Sequence, residues 1–268
     1  MSHAINAGEF AELLTASGIP TGSALPWDDC LRLKGVRSAA RLPQDPKSVL
    51  VCAFPYFRGV PEKRNLALYA MLPDYHMVVL GYLERLCSAL REKMPGAQFV
   101  PFADASPVDE LESAYRAGLG KRGDNGLIIT PLYGTFVFLG EIVTDAVLPY
   151  GSPAGECEHC GACRRACPHG ALGEVFEKAR CLSHISQKKG VLTDEETAWL
   201  RAGGLVWGCD RCQSACPHNR DVCLSPVPEF ADVEPLLTPG NLDRLMQNRA
   251  FAWRGRKVLE RNMEIVGE

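Results

Sequence analysis

Nine of the twelve cysteines lie between residues 157 and 223, and their spacing indicates what chemistry they do. The first run reads C-x2-C-x2-C-x3-C-P over residues 157–168, and the second reads C-x2-C-x3-C-P over residues 209–217. Thiolates spaced this closely turn around one iron–sulfur cube, while the last cysteine of such a run ligates the other cube. The spacing therefore predicts two [4Fe–4S] clusters in the arrangement of bacterial two-cluster ferredoxins.

The crossing of the last cysteine of each run divides eight ligands between the two clusters. The second run supplies only three cysteines, so the eighth ligand is assigned to Cys181, which lies between the runs. The predicted ligands of cluster one are Cys157, Cys160, Cys163 and Cys216. The predicted ligands of cluster two are Cys167, Cys181, Cys209 and Cys212. This sharing places the cubes close together, which suits electron transfer.

Zinc is the alternative metal, because C-x2-C pairs also hold structural zinc. Four closely spaced thiolates divide awkwardly around one tetrahedral ion, so the spacing favours iron–sulfur clusters. The neighbouring histidines are interpreted as exposed loop residues rather than ligands: His159, His169 and His218. Four cysteines are left without a cluster role: Cys30, Cys52, Cys87 and Cys223. Of these, Cys52 is predicted to be a small core residue.

The totals place the chain among soluble globular proteins. The formal net charge of −3 does not favour nucleic-acid binding by the surface as a whole. The first residues do not resemble a secretory signal, and no stretch reaches the ~18 apolar residues of a membrane span. Twelve cysteines favour metal or redox chemistry in a reducing compartment over disulfides. We therefore predict a cytoplasmic protein without a membrane partner.

The elements that position these residues are predicted to be mixed. Helical periodicity covers residues 6–17 and 74–93, and an apolar run of strand length covers 48–54. The apolar runs at 126–130 and 136–143 are predicted to form a hairpin or adjacent strands. Thr193 and Glu196 resemble a capping box, and two helices are expected near residues 240–248 and 251–266.

These elements predict an α+β fold in three parts. Residues 1–150 are expected to form a mixed α/β domain, and residues 151–225 a ferredoxin-like double-cluster domain. Residues 226–268 are expected to form a C-terminal helical segment. The joint near residue 150 is placed where the cysteine content changes and Gly151 and Pro153 break regular structure.

From about residue 50 onward, the sequence resembles the epoxyqueuosine reductases, cobalamin-dependent iron–sulfur enzymes of tRNA modification that are related to reductive dehalogenases. The resemblance rests on the order and spacing of several short segments as well as on both cysteine runs. These segments are Tyr69-Ala70, Asp74-Tyr75-His76, Asp104-Ala105-Ser106-Pro107-Val108, Ala117-Gly118-Leu119-Gly120 with Gly123 and Asn125, Gly134-Thr135-Phe136, Phe138-Leu139-Gly140-Glu141, Arg180-Cys181 and Gly208-Cys209-Asp210-Arg211-Cys212-Gln213.

The resemblance implies that a cobalamin lies between the N-terminal α/β domain and the cluster module and receives electrons from the clusters. It implies that Asp104 is the proton donor of a reductive deoxygenation. The residues implied to bind the cofactor are His76, Ala105, Ser106, Gly123, Asn125, Thr135 and Phe136. It also implies an electron donor of the ferredoxin or flavodoxin type and tRNA as a possible partner. The chain is expected to be a short form without the C-terminal helical repeats of the family.

Local sequence offers simpler interpretations of the same residues. Ser106, Pro107 and Asp109 resemble a helix start, which would make Asp104 a polar residue entering a helix. The glycine-rich turn formed by Gly118, Gly120, Gly123 and Gly126 is either a helix C-cap followed by a loop or a close approach to a flat cofactor. A histidine on a helix, such as His76, is more often a structural hydrogen-bonding residue than a residue that contacts a cofactor.

The sequence departs from the family pattern near the expected cofactor site. Ser106 replaces a glycine, Glu110 and Leu111 replace a basic residue, and residues 121–125 replace the usual aromatic residue and lysine. The C-terminal segment is locally basic, which is interpreted as a solvated helix face in preference to a tRNA contact.

The leading hypothesis is a cobalamin-dependent iron–sulfur reductase. The alternatives are a ferredoxin-type electron carrier with a non-catalytic N-terminal domain and a protein that handles cobalamin.

Overall fold

The computed structural model describes residues 5–33 and 35–267. Its internal contacts divide the chain into two compact units. Unit 1 comprises Met1–Pro55 and His76–Glu158, and unit 2 comprises Tyr56–Tyr75 and His159–Glu268. Helices and a sheet are both present, so the predicted α+β class is confirmed. The domain boundaries at residues 150 and 225 stay a prediction.

Unit 1 is built on an antiparallel sheet. Its strands are β1 (Thr21–Pro26), β2 (Ser48–Pro55), β3 (Phe99–Phe102), β4 (Lys121–Arg122), β5 (Ile128–Ile129) and β6 (Val137–Thr144). The main sheet has the order β1-β2-β6-β3, and all of its neighbouring strands are antiparallel. Glu141 lies in the inner strand β6, opposite Val51 of β2 and Phe102 of β3.

Two helices of unit 1 confirm the predictions from periodicity. The helices are α1 (Ala7–Ala16), α2 (Tyr75–Lys93) and α3 (Glu110–Arg116). Asn6 and Glu9 form a capping box at the start of α1. Helix α2 buries one face, and a Cβ at Gly140 of β6 would stand 2.5 Å from Val79 Cγ1. Gly140 therefore allows α2 to pack closely on the sheet.

The prediction of a hairpin or adjacent strands at residues 126–130 and 136–143 was wrong. Strand β5 has only two residues and pairs with β4, whereas β6 pairs with β2 and β3 in the other sheet. Both segments are apolar, but apolar character does not reveal which distant strand will supply the hydrogen bonds.

Unit 2 consists of short helices joined by turns. They are α4 (Ala162–Ala166), α5 (Leu182–Ser186), α6 (Asp194–Gly203), α7 (Arg211–Ser214), α8 (Leu242–Leu245) and α9 (Arg256–Val266). The predicted capping box at the start of α6 is confirmed, since the Glu196 N–H donates to Thr193 Oγ1 and the Thr193 N–H donates to Glu196. Both expected C-terminal helices are shorter than predicted. The second begins only at Arg256, because a separate 3-10 turn at Ala250–Arg254 precedes it and ends at Gly255.

The segment 56–75 interrupts unit 1 in the sequence but belongs to unit 2. Leu66 forms a parallel bridge with Trp207. The Asn65 side chain donates to the Leu237 carbonyl at 2.8 Å and accepts from the Leu237 N–H at 2.7 Å. These long-range bonds fix a segment whose local sequence predicted no regular element.

Asp210 links this segment to the start of α7. Its buried carboxylate accepts two hydrogen bonds from the Arg64 guanidinium, at 3.0 and 3.1 Å, and one from the Leu68 N–H at 2.9 Å. Both carboxylate oxygens are therefore satisfied, which is the condition under which a buried ion pair is tolerated.

Replacing Asp210 with alanine is expected to destabilise unit 2 by about 3–5 kcal/mol, because the partly buried Arg64 loses its counter-charge. The check compares apparent melting temperatures of the cluster-loaded proteins under anaerobic conditions at a fixed heating rate. Asp243→Ala is the matched control, since the Asp243 carboxylate is 85% exposed in its ion pair with Arg256. Its cost is expected to be about 0–1 kcal/mol. Equal costs for the two variants would show that the Arg64 pair does not support the unit.

Within the described residues, we find no helix that combines the length and the hydrophobicity required to cross a bilayer.

Candidate active site

The short elements of unit 2 present most of the predicted cluster ligands. Cys163 lies in α4, Cys167 directly follows it, and Cys181 precedes α5. Cys209 lies two residues before α7, and Cys212 is the second residue of that helix. All twelve cysteines of the chain are free thiols. The eight ligand assignments stay a prediction.

The surroundings of Cys212 show which thiols come together. Burial, followed by the charges of Cys209, Cys181, Cys167 and Cys163, raises the pKa of the Cys212 thiol to about 12. Thiolates gathered in this way repel one another unless a cation lies among them, and an iron cluster supplies that charge. The donor set therefore suits iron–sulfur ligation. Four of these five cysteines form the predicted set for cluster two.

Backbone N–H groups also point at the sulfurs. The Ala171 N–H donates to Cys167 Sγ at 3.2 Å. A backbone hydrogen bond from Arg211 lowers the pKa of Cys209, although burial, the largest influence, raises it. Hydrogen bonds to cluster sulfurs are one of the means by which proteins set a cluster potential.

The cysteines of unit 1 that precede the runs are core residues. Cys30, Cys52 and Cys87 are buried, as predicted for Cys52. Burial raises the pKa of Cys30 to about 12 and that of Cys87 to about 12, so these thiols stay neutral. Cys223, in contrast, is exposed.

Asp104 lies on a loop between β3 and α3, in a conformation that is rare for residues other than glycine. The φ angles of Asp104 and Ala105 are 53° and 49°. Such angles cost about 1–3 kcal/mol each and persist only where surrounding contacts enforce them. Ser38 provides one such contact by donating a hydrogen bond to the Ala105 carbonyl. The loop therefore holds Asp104 in a defined, strained position.

The helix start expected at Ser106 is displaced. Helix α3 begins at Glu110 with Asp109 as its N-cap, and the Asp109 carboxylate accepts from the Glu112 N–H at 2.9 Å. Ser106 is buried, and its hydroxyl donates to the Glu141 carboxylate. The interpretation of Asp104 as a residue entering a helix is therefore wrong.

His76 contacts Asp104 directly. The distance between His76 Nε2 and Asp104 Oδ2 is 2.8 Å, and 31% and 49% of these side chains are exposed. His76 lies in the first turn of α2, so a rigid helix fixes its position. The expected structural role of His76 thus turns out to involve the candidate acid itself.

The Asp104 loop borders an open cavity of about 370 Å³ in unit 1. The wall consists of two short segments of chain, namely Leu33, Val36 and residues 104–106 and 108–111. The cavity thus gives Asp104 and Glu110 access to water or to a ligand on the same side of the unit.

Glu110 and Glu141 are acidic residues near Asp104 that the sequence analysis did not identify as functional. Burial, and then the charge of Asp104, raises the pKa of Glu110 to about 7. Burial, and then the charge of Glu110, raises the pKa of Glu141 well above its usual value. In the described chain, one carboxylate oxygen of each residue is buried without a hydrogen-bond partner. The sequence signals were the departure from the family pattern at Glu110 and the place of Glu141 in one of the segments that carry the resemblance.

The glycine-rich turn is explained by packing within unit 1. Gly118 has a φ of 77°, and its Cβ would stand 2.0 Å from the Ser152 carbonyl oxygen. A Cβ at Gly120 would stand 2.4 Å from the Ile129 carbonyl oxygen. A Cβ at Gly123 would stand 2.6 Å from Asn125 Oδ1. These glycines follow α3 and lead into β4 and β5, so the local interpretation as a helix end followed by a loop is confirmed.

The remaining predicted cofactor residues lie on either side of β5. Asn125 Oδ1 accepts from the Leu127 N–H at 3.3 Å, but Asn125 Nδ2 is buried without a partner among the described residues. Thr135 and Phe136 are buried directly before β6. An unpaired buried amide donor is unfavourable by itself and is typical of a site that a polar ligand completes.

The raised pKa of Glu110 leads to a prediction about stability. The unfolded chain releases this proton near pH 4.5, whereas the folded protein keeps it until about pH 7. Stability contributed by the protonated form is therefore lost as pH rises through this window, by about 3 kcal/mol. Glu110→Gln removes the titration, so its stability relative to the native protein should increase between pH 5 and pH 8.

Apparent melting temperatures at a fixed heating rate would measure this difference, because cluster proteins unfold irreversibly. Glu84→Gln is the matched control, since Glu84 is an exposed glutamate on α2. A stability difference that is the same at pH 5 and pH 8 would contradict the assignment.

The chain matches two family models. Residues 37–105 match the family described as epoxyqueuosine reductase QueG, DUF1730, and residues 156–219 match the 4Fe-4S double cluster binding domain. The second match contains all eight predicted cluster ligands, and it confirms that the chain carries a double-cluster binding region.

Curated and solved relatives agree with these matches. The epoxyqueuosine reductase of Bacillus anthracis is 35% identical over 241 residues, which cover 81% of this chain and 62% of that protein. The chain thus spans about three fifths of the length of this relative. The structure of epoxyqueuosine reductase from Streptococcus thermophilus superposes with a TM-score of 0.82 at 24% identity and covers 98% of this chain and 81% of that one.

A further solved structure, an epoxyqueuosine reductase with a tRNA stem loop, superposes with a TM-score of 0.77 at 24% identity. It covers 97% of this chain and 80% of that one. At this identity, the two superpositions establish the fold. In sequence, the family model and the curated relative show that the chain is similar to the epoxyqueuosine reductases.

Proposed function

We propose that the chain is a cobalamin-dependent iron–sulfur reductase that removes the epoxide oxygen of epoxyqueuosine in tRNA, or of a related substrate. The observation that carries this proposal is that Asp104, which lies on a strained loop beside an open cavity, contacts His76. Strained backbone at non-glycine residues is concentrated at functional sites. The same chain carries the double-cluster region that an electron-driven reaction requires.

Cobalamin is supported by the chemistry of the residues present. The buried, unpaired Nδ2 of Asn125 suits an acceptor on a large polar cofactor. Thr135, Phe136, Gly123 and the backbone of Ala105 would form the remainder of the site, while the Ser106 hydroxyl is already bonded to Glu141. When bound, cobalamin supplies strongly reducing cobalt for the removal of oxygen.

The residues of the chain have separate tasks in this proposal. Asp104 holds the proton that the departing oxygen receives, and His76 orients the Asp104 carboxyl group through their 2.8 Å contact. The cluster cysteines hold the irons that store electrons from a ferredoxin or flavodoxin type of donor. The twelve free thiols support a cytoplasmic setting.

Three arginines of the basic C-terminal segment have acidic partners. Arg249 is fully buried and donates to the Asp232 carboxylate at 3.0 Å. Other arginines of the segment are paired within unit 2: Arg244 with Glu234, and Arg256 with Asp243 and Glu260. These pairs favour a solvated, ion-paired surface, so a tRNA contact has to be tested directly.

The first test is anaerobic purification with supplied cobalamin, followed by iron and cobalt analysis. We expect about eight irons for two [4Fe–4S] clusters, and one cobalt, per chain. A tRNA carrying epoxyqueuosine, treated with the reduced protein and digested to nucleosides, should then yield queuosine. Eight irons without cobalt would favour the electron carrier. Cobalt without turnover would favour a protein that handles cobalamin.

A further inference from the structure

We propose that Glu110, paired with Glu141, stores the proton that Asp104 delivers during turnover. This inference rests on the proposed function, because it assigns a source to the proton of that reaction. It adds a positioning and proton-supplying role for two residues that do not belong to the Asp104–His76 pair.

The two glutamates are held beneath the Asp104 loop by different elements. Glu141 lies in β6, is completely buried, and accepts a hydrogen bond from the Ser106 hydroxyl, two residues beyond Asp104. Glu110 is the first residue of α3, and its carboxylate accepts a hydrogen bond from the Asp104 backbone N–H. Both glutamates are therefore bonded to the loop that presents the acid.

The contacts of both glutamates favour their protonated forms. In the described chain, each has a buried carboxylate oxygen without a donor, and an ionised carboxylate in that position is strongly disfavoured. A carboxylic acid group loses much less on burial, because it carries no charge. The geometry thus favours retention of at least one proton by the pair.

Most of the charged and titratable groups around the two glutamates raise the pKa values of their carboxyl groups. Asp104 and Asp109 raise the pKa of Glu110, and His76 of α2 lowers it. Glu110 and Asp109 raise the pKa of Glu141, and the neighbouring thiols of Cys30 and Cys52 are neutral. The charge of Glu110 thus opposes ionisation of Glu141.

Asp104 itself is too exposed to keep a stored proton near neutral pH. Its side chain is 49% exposed, whereas an acid that stays protonated near neutral pH is usually buried. Glu110 is partly buried, with one carboxylate oxygen fully enclosed, and it shares the wall of the 370 Å³ cavity with Asp104. Water in this cavity can connect the two carboxyl groups by hydrogen bonds.

The transfer is a simple proton exchange. Asp104 gives its proton to the departing oxygen and becomes a carboxylate. The proton of the Glu110 carboxyl group then passes to Asp104, and Glu110 is reprotonated from solvent while Glu141 keeps its own proton. No electrons move in this step, so it needs no further reactant.

The decisive test is infrared spectroscopy of the cluster-loaded protein between pH 5 and pH 9, in H₂O and D₂O. Exposed carboxyl groups are ionised at pH 6, so a protonated carboxyl band at this pH reports buried acids. We expect such a band in the native protein, partial loss as pH rises through about 7, and removal of that component in Glu110→Gln. Glu141→Gln should remove the component that persists at higher pH. Glu84→Gln should leave the spectrum unchanged. If the band is unchanged in both Glu110→Gln and Glu141→Gln, or if the native protein shows no band at pH 6, the proposal is overturned.

Turnover provides a second readout. Glu110→Gln should lower kcat about tenfold, leave KM unchanged and abolish a fall in rate near pH 7, because an indirect proton donor contributes less than the 10²–10⁴ of a direct one. A native protein that shows the band but no turnover would refute the proposed reductase and, with it, the delivery to Asp104. Turnover with the same kcat and pH profile in Glu110→Gln would refute the proton store and leave the reductase intact.

Discussion

Replacing Asp104 with asparagine is expected to lower reductase turnover by a factor of about 10²–10⁴, which is the range for loss of a general acid. The amide keeps the size and a hydrogen-bond acceptor for His76, so the strained loop can retain its conformation. It has no carboxyl proton to give to the departing oxygen. The measurement is single-turnover formation of queuosine from epoxyqueuosine-containing tRNA with pre-reduced protein.

The iron and cobalt contents of Asp104→Asn should equal those of the native protein, because the substitution leaves the cysteines untouched. Asp45→Asn is the matched control, since the Asp45 carboxylate is 83% exposed on a turn of unit 1. If Asp104→Asn turns over at the native rate, Asp104 is not the acid. Unchanged delivery of electrons to an acceptor protein, without any native turnover, would instead favour the electron carrier.

Replacing Cys212 with serine is expected to remove one [4Fe–4S] cluster and lower the iron content from about eight to about four per chain. Cys212 lies among Cys209, Cys181 and Cys167, so loss of its thiolate leaves one iron of that cluster without its protein ligand. Because metal ligation stabilises the folded state, unit 2 should also unfold at a lower temperature. Iron analysis and electron paramagnetic resonance of the reduced protein measure both clusters.

Cys223→Ser is the control, because Cys223 is an exposed thiol outside both runs. It should keep about eight irons. Cys181→Ser tests the eighth ligand, since Cys181 was assigned only by its place between the runs. If Cys223→Ser loses iron and Cys181→Ser does not, the eighth ligand has been assigned to the wrong cysteine.

Features that depend on nearby residues were predictable from the sequence. The cluster runs are of this kind, because one cube is held by cysteines two or three residues apart. Helices α1 and α2 and the capping box at Thr193 also follow from spacing over a few residues. The buried strand β2 follows from its continuous apolar run.

Pairings between distant segments were not predictable in this way. Strand β6 is an apolar run like many others, and only the folded chain places it between β2 and β3. The segment 56–75 likewise gains its place from bonds to residues near 207, 210 and 237. A local pattern contains no information about such partners.

The sequence by itself determined that the chain has two cluster-binding runs and a mixed α/β part, and the resemblance drew attention to Asp104. Only the tertiary structure decided how Asp104 is held. In the structure, α3 starts at Glu110 and not at the expected Ser106, the Ser106 hydroxyl donates to Glu141, and His76 Nε2 lies 2.8 Å from Asp104 Oδ2. The physical reason is that burial and hydrogen bonding depend on residues far apart in the chain, and these two influences set the chemistry of a carboxyl group.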